Sequence, residues 1–185
     1  MSTAKFNQFL NQLSEYPLKV IDSKISYDRY APLVISDKNI DLSNFDIYSS
    51  LEWEKYINLF LEDKNVKIAF GGYLEKRNIY DRSKYFKCLA ENKRRNIHLG
   101  IDFWCKEGTK VLAVLDGEIH SFKNNNHYGD YGPTIILKHK IKEEVFYTLY
   151  GHLSLLSIEK LKVGDFILKG SVIGYLGNSL IKGSW

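Results

Sequence analysis

From His98 onward the chain is punctuated by glycine-containing turns, and the segments between them read as short strands rather than long helices. Thr109–Leu115 runs into Asp116-Gly117, a turn pair that predicts a β-hairpin with Glu118–Phe122 leaving it. A polar loop over Lys123–Tyr131 follows, with strands expected at Thr134–His139 and Val145–Tyr150. Val163-Gly164-Asp165 and Lys169-Gly170 bracket another strand, and Val172–Leu176 ends before Gly177. Such regular short strands predict an antiparallel β-sandwich or barrel-like domain. There is also an internal echo. Gly108-Thr109-Lys110-Val111 leading to Gly117-Glu118-Ile119 resembles Gly164-Asp165-Phe166-Ile167 leading to Gly170-Ser171-Val172, as in a folded-over, duplicated strand motif.

The first part differs. Phe6, Phe9, Leu10 and Leu13 form one apolar stripe of a helix that Pro17 ends. Ile25–Ile47 reads as irregular chain or short strands. A second helix starts at Ser49, with Glu52 in capping-box position and a stripe of Trp53, Tyr56, Ile57, Phe60 and Leu61. Val66–Phe70 is a short strand closed by Gly71-Gly72. Tyr73–Leu89, rich in tyrosine and in charges such as Glu75, Arg77 and Arg82, is expected to be a surface helix; lining a substrate cleft is the alternative. The chain is thus α+β overall and mainly β. It divides into a partly helical N-terminal extension, 1–90, and a β domain, 91–185.

A formal net charge of +4 is too mild to demand an anionic partner. The run Lys93-Arg94-Arg95 is short and reads as a solvated loop, so no nucleic-acid partner is expected. Cys88 and Cys105 make neither a zinc-type pair nor a disulfide framework, and Cys105, after Phe103 and Trp104, reads as a small buried filler. With no secretory signal, lipidation signal or spanning segment in the sequence, the expectation is a cytoplasmic protein without a membrane partner.

Chemistry concentrates in two places. In His98-Leu99-Gly100-Ile101-Asp102, strand alternation puts His98, Gly100 and Asp102 on one face and Ile97, Leu99, Ile101 and Phe103 on the other. An imidazole and a carboxylate above a residue too small to block them can hold a zinc-like cation; a buried histidine paired with its aspartate for structural reasons is the other reading. Tyr150-Gly151-His152-Leu153-Ser154 closes a strand, where His152 reaches a metal or an oxyanion, or is a packed core residue.

The ordered series His98–Asp102, Gly108–Gly117, Tyr131-Gly132, Thr134–His139, Thr148–Leu153, Val163–Gly170 and Ile173–Gly177 resembles the lysostaphin/LytM-type zinc metallopeptidases over about the last half of the chain. The resemblance implies a duplicated-hybrid-motif fold with a sheet-lined cleft and one zinc ion. It implies that His98 and Asp102 are two metal ligands. It makes His152 the non-ligand active-site histidine that steadies the attacking water or the oxyanion. It further implies hydrolysis of peptide or peptidoglycan-like substrates of bacterial cell walls.

The family takes its third ligand from a His-x-His motif a little after the Ile-Gly-x-x-Gly element. This sequence reaches Gly183-Ser184-Trp185 where that motif is expected. The resemblance therefore implies a C-terminally truncated domain, impaired as a peptidase, or a part of a larger multidomain protein. His120, His127 and His139 are poor replacements: His139 reads as structural, and nothing fixes His127 in its polar loop. The alternative to a metallopeptidase is a non-catalytic binding or regulatory module on the same fold. A third reading is a lipoyl- or biotinyl-carrier-like sandwich, which needs a lysine at an exposed hairpin tip that Asp116-Gly117 does not supply.

Overall fold

A computed structural model of the chain describes residues 3–77, 96–127 and 130–178. Helix α1 (Thr3–Asn11) carries Phe6, Phe9 and Leu10 of the expected stripe but ends before Leu13 and Pro17; the rings of Phe6 and Phe9 meet Phe146 edge-on at 6.0 and 5.8 Å. Helix α2 (Ser50–Asp63) starts where its cap predicts, because Ser49 Oγ accepts a hydrogen bond from the Glu52 N–H that the first turn leaves unpaired. Two 3-10 turns, Tyr27–Arg29 and Ile40–Ser43, fill the irregular stretch before it.

The described strands form three small sheets. In the first, β2 (Ile68–Gly71) pairs in parallel with β1 (Tyr30–Pro32) and antiparallel with β3 (Asp102–Trp104). In the second, β4 (Lys110–Leu112) pairs antiparallel with β9 (Val172–Tyr175). The third has the order β7-β6-β5-β8, built from β5 (Gly117–Asn125), β6 (Gly132–Ile141), β7 (Glu144–Tyr150) and β8 (Phe166–Ile167), antiparallel throughout. The protein is mainly β with an N-terminal helix, and the described strands do not close into a barrel. No described helix is long and apolar enough to cross a membrane.

Two apolar clusters share the first sheet, and strand alternation explains how. Ile68 is buried with Val111, Ile119, Ile135, Leu137 and Leu153 in the larger core, while its neighbour Ala69 is buried with Leu33, Ile35 and Trp53 in the smaller. On β3, Phe103 and Trp104 divide the same way. The sheet β1-β2-β3 therefore joins segments from both sides of residue 90, and helix α2 covers its second face.

Three local expectations are corrected. Asp116-Gly117 does not close a hairpin: β4 pairs with β9 and β5 with β6 and β8, so these residues turn a corner between sheets. Asp116 secures that corner by accepting from Lys169 N–H through its carboxylate and from the His139 ring through its carbonyl. Residues 73–77 form a turn and a bridge rather than the start of a helix, since Leu74 N–H bonds His98 O and Arg77 N–H bonds Asn96 O; residues 78–89 of that expected helix lie outside the described residues. The strand expected from Ile97 to Phe103 is paired only at Ile97 and from Asp102 onward. Its apolar face is not buried as alternation predicts: Leu99 and Ile101 are 73% and 61% exposed. The chain bends at Gly100, which breaks the strand alternation there.

Candidate metal centre

The bend brings His98 and Asp102 together. His98 is held by its backbone, its N–H donating to Glu75 O and its carbonyl accepting from Leu74 N–H. Its ring Nδ1 lies 2.9 Å from the Gly72 carbonyl, an acceptor only, so the proton sits on Nδ1. Its other ring nitrogen, Nε2, faces Asp102 Oδ1 across 3.5 Å. Asp102 is fixed by its other oxygen, which accepts from Arg77 Nη2 at 2.6 Å. Arg77 is 5% exposed and also donates through Nε and Nη2 to Glu75 Oε2 at 3.1 and 3.0 Å. Glu75 Oε1 in turn accepts from the Ile35 N–H at 3.2 Å. Two carboxylates thus share one guanidinium.

Glycines make the approach possible. A Cβ on Gly72 would stand 2.7 Å from His98 Nδ1 and 2.9 Å from Asp102 Oδ2, with Arg77 Nη2 closer still, and its φ of +101° belongs to glycine. Gly100 lies beneath the imidazole, where a Cβ would come within 3.2 Å of Nε2. Next to Gly72, Leu74 holds a φ of +59°, a conformation that costs a branched residue free energy and is kept where the surroundings over-determine it.

An imidazole nitrogen and a carboxylate oxygen at this separation can share a small cation. Zinc–nitrogen and zinc–oxygen bonds of about 2.1 Å at a tetrahedral angle put adjacent ligand atoms about 3.4 Å apart. The 3.5 Å between His98 Nε2 and Asp102 Oδ1 fits one edge of that tetrahedron. The Nδ1–carbonyl bond is the outer contact that metal-ligating histidines use to set their tautomer. Among the described residues no group of three His, Cys, Asp or Glu side chains assembles here or elsewhere.

His152 sits just beyond the end of β7. Its N–H donates to Tyr131 O at 2.7 Å, its carbonyl accepts from Gly177 N–H at 2.9 Å, and its ring lies 6.0 Å from the Tyr131 ring. Its φ is +56°, in the left-handed region that favours glycine. His139 is fully buried, with Nδ1 on Asp116 O and Nε2 on Thr148 Oγ1, both at 2.7 Å; both ring nitrogens are engaged and it is structural, as expected. His120 packs edge-on against Tyr147. Burial pushes the Cys105 thiol up to about 11, which agrees with an inert filler.

Sequence reasoning missed the outer contacts. Glu75 and Arg77 lie in a segment read as surface helix, and Gly72 in the Gly71-Gly72 pair read only as closing a strand. Opposite charges two residues apart, Glu75 and Arg77, were the available signal, since that spacing shares one face of an extended chain.

Residues 96–183 match peptidase family M23. Over 83 residues the chain is 37% identical to the DD-carboxypeptidase/endopeptidase Mpg of Neisseria meningitidis serogroup B (strain ATCC 13091 / M2091), and equally to its namesake in Neisseria gonorrhoeae (strain ATCC 700825 / FA 1090). Each match covers 45% of this chain and 17% of the relative's length.

Proposed function

We propose, starting from a C-terminal half that belongs to peptidase family M23, that His98 and Asp102 are two ligands of a zinc ion at a site that hydrolyses peptide bonds in a peptidoglycan-like substrate. The observation that carries the reading is the convergence of Nε2 and Oδ1 across 3.5 Å, with the remaining polar atom of each side chain pinned away from the gap. Zinc bound there would polarise the scissile carbonyl and lower the pKa of a water molecule. The chain's own residues do the rest. Gly72 O keeps the Nδ1 proton in place, so that Nε2 stays a donor to the ion. Arg77 stops the Asp102 carboxylate from turning away. His152, its backbone pinned by Tyr131 and Gly177, steadies the developing oxyanion or carries a proton to the leaving amine.

A second reading is a binding module on the same fold. What favours it is that no third His, Cys, Asp or Glu joins His98 and Asp102 among the described residues. Calorimetric zinc titration and mass-spectrometric assay of cross-linked cell-wall peptides separate the two. His98→Ala and Asp102→Ala should each abolish zinc uptake. His152→Ala should keep zinc and lower hydrolysis by about 10²–10⁴-fold. Zinc uptake without hydrolysis in the unaltered chain selects the binding module. Uptake that survives loss of either ligand refutes the site.

A further inference from the structure

We infer that Arg77, clamped by Glu75, is a positioning residue that makes Asp102 a one-oxygen ligand, so that the N-terminal half of the chain builds part of the metal site. The inference rests on the zinc reading above. Asp102 has two oxygens, and Arg77 takes Oδ2 at 2.6 Å. The oxygen left is Oδ1, the one that faces His98 Nε2. A carboxylate free to turn can offer both oxygens to one ion, the mode that suits large, oxygen-seeking cations such as calcium. A carboxylate held by one oxygen offers a single donor, which suits a small four-coordinate ion.

Arg77 is itself held. Two of its nitrogens donate to Glu75 Oε2, so the guanidinium keeps its place when Asp102 moves. Glu75 is held through Oε1 by the Ile35 N–H, just beyond β1. The segment carrying both residues is aligned with the ligand segment by three backbone bonds, Leu74 N–H to His98 O, His98 N–H to Glu75 O and Arg77 N–H to Asn96 O. That pairing puts Glu75 and Arg77 on one face. A guanidinium that is 5% exposed is retained only with carboxylates around it, and one of its two partners here is the candidate ligand.

The test is zinc and calcium affinity of the full chain, by calorimetry and by competition with a chromophoric chelator, with thermal unfolding followed alongside. Arg77→Met should weaken zinc binding by about 10–100-fold, the usual effect of removing an outer partner of a metal ligand, and should narrow the preference for zinc over calcium. Arg77→Lys should recover part of the zinc affinity, because one ammonium can still hold Oδ2. Should Arg77→Met fail to fold, the paired change Glu75→Gln/Arg77→Met removes both charges together and is expected to show the same loss. A merely structural arginine would lower the unfolding temperature and leave zinc affinity and selectivity within twofold of the unaltered chain; that result overturns the inference while His98→Ala and Asp102→Ala still abolish binding. If the unaltered chain takes up no zinc through His98 and Asp102, the zinc reading fails and the inference falls with it.

Discussion

Gly72→Ala places a methyl group where three side chains of the site converge. Two costs arise, and a second glycine separates them. The first is conformational: alanine at a φ of +101° costs on the order of 1–3 kcal/mol. The second is collision, since the new Cβ would stand 2.7 Å from His98 Nδ1 and 2.9 Å from Asp102 Oδ2, and closer to Arg77 Nη2. Those atoms must move, which loosens the Arg77–Asp102 bond and the His98–Gly72 bond. A charge-assisted hydrogen bond contributes about 1.5–3 kcal/mol. Gly164 has a comparable φ of +92° and nothing within 4 Å of its would-be Cβ. Gly164→Ala therefore carries the conformational cost alone. Urea unfolding should find Gly72→Ala less stable than Gly164→Ala by about 2 kcal/mol or more. Zinc affinity should fall in the first variant and hold in the second. Equal destabilisation of the two variants, within about 0.5 kcal/mol, would refute the packing of Arg77, His98 and Asp102 around Gly72.

Two further outcomes test other parts of the structure. His139→Phe leaves the Asp116 carbonyl and the Thr148 hydroxyl without their ring partner, so it should cost about 1–3 kcal/mol in urea unfolding; zinc affinity should stay unchanged, and its loss would make His139 a ligand instead. Burial raises the Cys105 thiol from 9.0 to about 11, so its contribution to stability is complete below pH 9 and disappears as the pH climbs toward 11. Cys105→Ala should flatten that part of the alkaline stability profile, leaving the loss from Tyr30, which desolvation raises from 10.0 to about 12. An unchanged slope between pH 9 and 11 would contradict the burial of the thiol.

Local chemistry was legible where its partner lay nearby in the chain. Ser49 capping α2 and the Trp53–Leu61 stripe needed only residues within a few turns, and both stand as read. The echo between Gly108–Ile119 and Gly164–Val172 has a tertiary counterpart. The first piece of each copy pairs with the second piece of the other, β4 with β9 and β5 with β8. The same exchange is why Asp116-Gly117 misled: the strands on either side take their partners in separate sheets rather than from each other.

Spacing singled out His98, Gly100 and Asp102, and the bend at Gly100 brings the two side chains together. Spacing could not say that Leu99 and Ile101 stay exposed, since alternation holds only while the strand is paired. Nor could it find Arg77, which lies 25 residues from Asp102 and is drawn to it by pairing between residues 74–77 and 96–98. The amino-acid order by itself determined where helix α2 starts and which stretches after residue 108 become strands, because those depend on neighbours along the chain. Only the tertiary structure decided which carboxylate oxygen faces the histidine, because that is set by a buried charge supplied from the other half of the molecule.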